Sequence, residues 1–300
     1  MGYHQPVLLD VSIEGLTIDP DGIYVDATFG GGGHSRAMLK KLKTGRLFGF
    51  DQDEDVLANS EFIKNPMFTF ISANFRYMKK YLRLNGVNTV DGILADLGVS
   101  SHQIDTPDRG FSTRFDAELD MRMDQTADLT AKNIINTYDK ASLQEIFGKY
   151  GEVRNAKTLA STIVNARYHH PINTVSQLKQ SISHLVPKRW ESKYLAQVFQ
   201  AVRIEVNQEL KALEALLQQS KDLIRVGGRL VVISYHSLED RMVKHFINTG
   251  DFQGELRKDF FGNLLRPFNP VVKKPVTASP SELEANPRSR SAKLRIAERI

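Results

Sequence analysis

Four consecutive glycines, Gly30 to Gly33, stand between an apolar run and a helical one, with Asp26 before them and His34 after. Ile23 to Thr28 has the composition of a buried strand and Ser35 to Lys43 the spacing of a helix, so the glycines occupy a strand-to-helix turn. Glycine there lets backbone N–H groups come close to a ligand, and the helix start favours negative charge. The pattern repeats downstream. Arg46 to Phe50 closes on Asp51, Met67 to Ser72 is a third strand, and Val90 to Leu97 closes on Asp96 and Gly98. Strands alternating with helices predict an α/β fold with a mostly parallel sheet, whose ligands lie at the carboxyl ends of the strands.

The next strand, Arg229 to Ser234, follows Gly227-Gly228, which read as a helix stop, and it begins 131 positions after Gly98. A βαβ connection needs only about 30 residues. The excess predicts an inserted module, and its sequence is helical throughout. Ser142 to Glu145 and Thr174 to Gln177 have the capping-box pattern, while Val153 to Tyr168 and Tyr194 to Val206 have helical spacing. Asn207 to Ile224 predicts a long amphipathic helix returning to the sheet. Ser291 to Ala297 alternates as a strand does.

Composition narrows the function classes. The chain has no cysteine, which excludes disulfides, thiolate metal sites and a cysteine nucleophile. No apolar run has the roughly 18 residues of a membrane span and no signal core opens the sequence, so a cytoplasmic protein without membrane contact is expected. Pro6 stands where a myristoylation signal needs Ser or Thr. The net charge is +5, and residues 257–300 alone hold ten Lys or Arg against four Asp or Glu. That asymmetry suits a polyanionic partner such as nucleic acid, or a solvated tail.

The glycine run does not fit G-x-G-x-x-G, whose last glycine falls on Ser35, but D-x-x-x-G-x-G resembles the first motif of S-adenosylmethionine-dependent methyltransferases. Asp51, 21 positions after Gly30, stands where a carboxylate accepts from both ribose hydroxyls. Phe75, beyond the third strand, is placed to cover an adenine or to fill the core. Asp96 occupies the position of the D/N/S-P-P-aromatic motif of amino-group methyltransferases without its prolines or aromatic. An acceptor there can hold an N–H of an exocyclic amine and restore its nucleophilicity. Gln103 follows within reach. His236, after the fifth strand, is a candidate for substrate contact or proton transfer, with Ser237 as the expected N-cap of the next helix. Asp120 to Asp124 reads as packing and salt bridges. Trp190 beside Lys188 and Arg189 suits a solvated basic turn or a base stack. His169-His170 lacks a ligand spacing, and no metal is expected.

From His4-Gln5-Pro6-Val7-Leu8 to Ala292–Arg299 the chain resembles the bacterial 16S ribosomal RNA (cytosine-N4)-methyltransferases. The strings that carry the likeness are Gly31–Ser35, Leu94–Ser101, Arg109–Ser112, Asp120–Asp124, Phe199–Ile204, Ser234–Arg241 and Asn286–Ser291. The resemblance implies a seven-stranded, mostly parallel Rossmann-like sheet with an inserted all-helical domain, divided as 1–108, 109–205 and 206–300, the last with the basic tail. It implies S-adenosyl-L-methionine as cofactor, held by Gly32, Gly33, His34, Asp51, Phe75, Asp96 and Gln103. The implied partner is a cytidine of 16S rRNA in the small ribosomal subunit, and the family is associated with homodimers. Asp96 and His236, each at or after a strand end, are the candidate catalytic pair for holding that cytidine. Two other classes share parts of the pattern. A nicotinamide-dependent oxidoreductase shares the strand, glycine loop and acid, and a non-catalytic RNA-binding relative shares the basic tail. A methyltransferase-fold protein acting on another RNA or amine is the nearest alternative.

Overall fold

The computed structural model describes residues 6–61 and 63–300; His4 and Gln5 of the first resembling string lie outside them. The chain forms two compact units, one comprising the residues up to Gly98 together with Leu210–Ile300, the other Val99–Glu209. The expected insertion limits, 109 and 205, fall inside the second unit. No helix among the described residues is long and apolar enough to cross a membrane.

The first unit is built on a seven-stranded sheet of β1 (Ile23–Asp26), β2 (Arg46–Asp51), β3 (Phe68–Ser72), β4 (Val90–Asp96), β5 (Ile224–Ser234), β6 (Phe268–Pro270) and β7 (Lys293–Arg299). Their order is β3-β2-β1-β4-β5-β7-β6. The first five in that order run parallel, and β7 is antiparallel to both β5 and β6. The order reverses between β1 and β4, so the crevice for a ligand opens there, at the carboxyl ends. Both faces of the sheet are covered, Phe48, Phe50 and Ile93 lying in one apolar cluster and Leu47, Leu94 and Val231 in the other. Each such side chain contributes roughly 1.5–3 kcal/mol by leaving water.

Several local expectations need correction. Gly227-Gly228 does not stop a helix; the helix ends at Leu223 and the glycines lie inside β5. Pairing with β4 shifts there, from Val90↔Ile224 to Gly92↔Arg229. Gly227 has φ +81°, and a Cβ on Gly228 would meet the Asp91 carbonyl oxygen at 2.6 Å. The glycines therefore make a bulge under close backbone approach. The basic tail is also more structured than its composition suggests. It supplies β6 and β7, and Lys293 and Arg295 bind Asp240.

The second unit is a helical assembly around Leu143, Phe147, Leu159, Ile163, Val198 and Val202. Thr174 and Gln177 form the expected capping box. Ser142 does not begin its helix: Asp139 caps it by accepting from the Ser142 N–H. Met121 and Met123 are buried, and Arg122 binds Asp120 at 2.7 Å, as packing and a salt bridge require. Arg109 donates to the carbonyls of Arg122 and Met123.

Candidate functional site

Three aspartates close β1, β2 and β4 at the carboxyl end of the sheet, and each organises the backbone around it. Asp26 is fully buried; its Oδ1 accepts from the Thr28 N–H at 3.2 Å and its Oδ2 from the Ser35 hydroxyl at 2.7 Å. It thereby ties the glycine loop to the helix Gly33–Leu39. Burial raises its pKa, against the opposing influence of His34 and Ser35.

The loop turns through positive φ at Gly30, +50°, and Gly32, +72°, the latter being the helix N-cap. A Cβ on Gly33 would lie 2.1 Å from Pro6 Cγ, so that glycine also answers a packing demand. Asp51 accepts from the Gly30 N–H at 2.8 Å through Oδ2 and from the Asp53 N–H at 3.0 Å through Oδ1. Burial pushes its pKa up to about 6 despite those two donors. A carboxylate has about four lone-pair sites, so each oxygen retains acceptor capacity. Phe75 opens a short 3-10 turn beyond β3 and packs partly buried against the sheet core. Asn74 beside it donates to Gln52 at 2.6 Å, joining the tips of β2 and β3.

Asp96 receives the Tyr235 hydroxyl on Oδ1 at 2.7 Å, and its backbone N–H donates to Thr28 Oγ1 at 2.6 Å. Its Oδ2 lies 3.9 Å from His34 Nδ1. His34 is buried, and its Nε2 is 3.1 Å from the Val7 carbonyl oxygen. A carbonyl only accepts, so Nε2 carries a proton and donates to it. Burial pushes the Asp96 pKa up to about 6, with His34 and Tyr235 opposing the rise.

Asp51, Asp96, the glycine loop, His34 and Phe75 thus meet at one end of the first unit. Gln103 belongs to the second unit, where it is buried and its Oε1 accepts from the Ser100 N–H in a capping box. His236, rather than Ser237, is the N-cap of the helix Ser237–Thr249, its Nδ1 accepting from the Glu239 N–H at 3.5 Å. Its Nε2 is buried, 3.3 Å from Glu239 Oε1 and in no hydrogen bond. Trp190 is half exposed with the Arg189 guanidinium 5.7 Å from its ring centre.

Sequence reasoning missed Thr28 and Tyr235. Thr28 was visible as a hydroxyl two residues beyond a strand-end aspartate. Tyr235 gave no signal, because its link to Asp96 spans 139 positions and exists only once β5 lies beside β4.

An open parallel sheet with an antiparallel strand beside β5, a glycine turn after β1 and an acid ending β2 define a Rossmann-like methyltransferase fold. The model of the MraW methylase family matches residues 1–300, and the chain belongs to that family. The Ribosomal RNA small subunit methyltransferase H of Cytophaga hutchinsonii is 60% identical over 297 residues, 99% of each chain. Its counterpart in Flavobacterium johnsoniae is 54% identical over 301 residues, 100% of this chain and 99% of that one. Among solved structures, an rRNA methylase from Streptococcus thermophilus aligns over 97% of this chain and 95% of its own at a TM-score of 0.43 and 12% identity.

Proposed function

We propose that this protein transfers a methyl group from S-adenosyl-L-methionine to the N4 amino nitrogen of a cytidine in 16S ribosomal RNA of the small subunit, in the cytoplasm. The names of the relatives support the ribosomal substrate. The observation that carries the chemistry is Asp96, an oriented, partly buried carboxylate at a strand tip beside the glycine turn.

Asp51 fits the cofactor. Two backbone donors leave acceptor capacity on both of its oxygens, and its raised pKa marks a carboxylate short of positive partners. The two hydroxyls of a ribose supply the missing donors. Gly32, Gly33 and His34 would offer backbone to the rest of the cofactor, and Phe75 its ring to the adenine. The sulfonium methyl of the bound cofactor is the electrophile.

Asp96 is proposed to accept an N4 proton as the nitrogen–carbon bond forms. The lone pair of that amine is otherwise delocalised into the ring, and a base of pKa about 6 is matched to work near neutrality. Tyr235 holds Oδ1 and leaves Oδ2 for the substrate. His236 is the proposed second contact to the cytidine, through its buried Nε2. Attack at C5 ordinarily proceeds through a thiolate adduct, and this chain has no cysteine to form one. We assign the helical segment, 109–205, to binding the RNA.

Incubation with S-adenosylmethionine and unmodified small subunits, followed by nuclease digestion and mass spectrometry, is expected to yield N4-methylcytidine. C5-methylcytidine, or no labelled nucleoside, would contradict the proposal. Calorimetry with S-adenosylmethionine and NADH is expected to show binding of the first alone.

A further inference from the structure

Far from the aspartates, the chain holds two phenylalanines out in solvent. Phe260 is 97% exposed, the most exposed large apolar side chain among the described residues, and Phe261 is 85% exposed. They cap a short hairpin in which Lys258 bridges Leu264 and the Leu265 N–H donates to the Arg257 carbonyl. Asp259 fixes the tip by accepting from the backbone N–H groups of Phe261 and Asn263 and from Asn263 Nδ2. Gly262 closes the turn at φ +86°. The two rings stand edge to face, centres 5.7 Å apart. Leaving two such rings in water costs folding free energy, so a turn built to display them calls for an occupant.

Charge identifies its kind. Residues 257–274 hold five Lys or Arg (Arg257, Lys258, Arg266, Lys273, Lys274) and one acid, Asp259, which is engaged in the turn. Aromatic faces among cations are the recognition chemistry of unpaired nucleic acid, in which bases stack on rings while phosphates meet the charges. Leu256, Leu264 and Leu265 are also exposed on the hairpin, and it is the cations interleaved with these apolar groups that favour a polyanion over a protein surface, where charge is kept to the rim.

We propose that the Phe260–Phe261 hairpin is a docking platform for unpaired bases of the RNA substrate, remote from the base that is methylated. This rests on the functional reading above for the identity of the RNA. The remoteness follows from topology. The helix Ser237–Thr249 leaves the carboxyl end of β5 and spans about 20 Å. The hairpin follows it and leads into β6, whose Phe268 pairs with Arg299 next to the Glu298 that pairs with Arg229, where the β5–β7 pairing begins on the side away from the carboxyl end of β5. The platform therefore anchors a large substrate and takes no part in methyl transfer.

The test uses the full-length protein, fluorescence anisotropy with a labelled single-stranded 12-nucleotide RNA, and methylation kinetics on small subunits. Replacing both rings, Phe260→Ala with Phe261→Ala, is expected to weaken the oligonucleotide by about tenfold or more at constant salt slope, since each stacked base is worth roughly 5-fold to 150-fold. KM for small subunits rises while kcat and S-adenosylmethionine affinity stay at parent values. Phe260→Trp with Phe261→Trp restores binding, whereas the equally apolar Phe260→Leu with Phe261→Leu does not. Arg257→Gln with Lys258→Gln lowers the salt slope instead. Unchanged RNA affinity in the alanine variant overturns the proposal, as does full rescue by leucine, and sedimentation showing only the loss of a dimer would assign the rings to a second copy of the chain. A parent that binds the oligonucleotide through these rings yet methylates no ribosomal RNA would refute the functional reading and leave the platform standing.

Discussion

Asp96 and Asp240 lie at the same end of the sheet and have opposite surroundings. Asp240, in the first turn of the helix after β5, is bound by Arg295 at 2.7 Å and Lys293 at 3.2 Å, both from β7. Burial alone would raise its pKa, but those two cations overcome burial and lower it. Asp96, on β4, has the Tyr235 hydroxyl and the His34 ring beside it; they oppose burial without overcoming it, and its pKa rises to about 6. Asp51 on β2 likewise rises to about 6. The antiparallel part of the sheet pairs its acid for stability, whereas the tips of β2 and β4 hold acids with no lysine or arginine partner among the described residues. On the proposed function those tips receive a ligand's donors and protons.

The largest expected effect separates activity from stability at one atom pair. Asp96→Asn keeps an acceptor for Tyr235 and loses the base, so methyl transfer should fall by about 10²-fold or more. Its folded pKa lies above the unfolded value, so the folded state binds more protons between about 4 and 6 and stability declines as pH rises through that window. Thermal melts of Asp96→Asn are therefore expected to match or exceed the parent at pH 7.5 and to show no gain at pH 4. A large loss of melting temperature at pH 7.5 would make Asp96 a structural acid like Asp240.

Asp51→Ala should cost roughly 1.5–3 kcal/mol of cofactor binding, a tenfold to 150-fold loss by calorimetry. In the parent, affinity should weaken as pH drops below about 6, because ribose hydroxyls donate to the ionised form. In the variant that slope should vanish.

Asp240→Asn is the converse experiment. The lowered pKa means stability present above the unfolded value near 4 and lost as pH falls through the folded one. The variant should melt a few degrees lower at pH 7, a loss of about 1–2 kcal/mol, with unaltered cofactor affinity. The smallest effect belongs to Tyr235→Phe. Losing the donor to the Asp96 carboxylate should raise that pKa further and move the acid limb of the rate profile upward, slowing transfer severalfold at pH 6.5 and little at pH 8.

How much of this was legible in the sequence follows the same division. Asp51, Asp96 and the glycines could be read because each sits at the end of its own strand, where a local pattern of apolar run, acid and glycine carries the meaning. The Tyr235–Asp96 bond, the Asp26–Ser35 tie and the Asp240–Arg295 pair depend on which strands become neighbours or how a loop folds back, and no local pattern records that. Gly227-Gly228 misled for a related reason: paired glycines stop helices by conformational freedom, but here they answer the approach of the Asp91 backbone. Composition placed the basic excess in the tail correctly, yet Lys293 and Arg295 are bound to an acid on a helix more than fifty positions away.

The division between the two kinds of aspartate can be observed directly. Carbon-13 labelling of aspartate carboxyls, with assignment by the Asp51→Asn, Asp96→Asn and Asp240→Asn variants, gives each titration by NMR between pH 3 and 8. Asp51 and Asp96 are expected to titrate near 6 and Asp240 below its ordinary range, and saturating S-adenosylhomocysteine should shift the Asp51 midpoint downward as its ribose donates to the carboxylate. Midpoints near 4 for Asp51 and Asp96, or an Asp51 titration indifferent to S-adenosylhomocysteine, would contradict the proposal that these strand tips are acids without a lysine or arginine partner that take up cofactor and substrate.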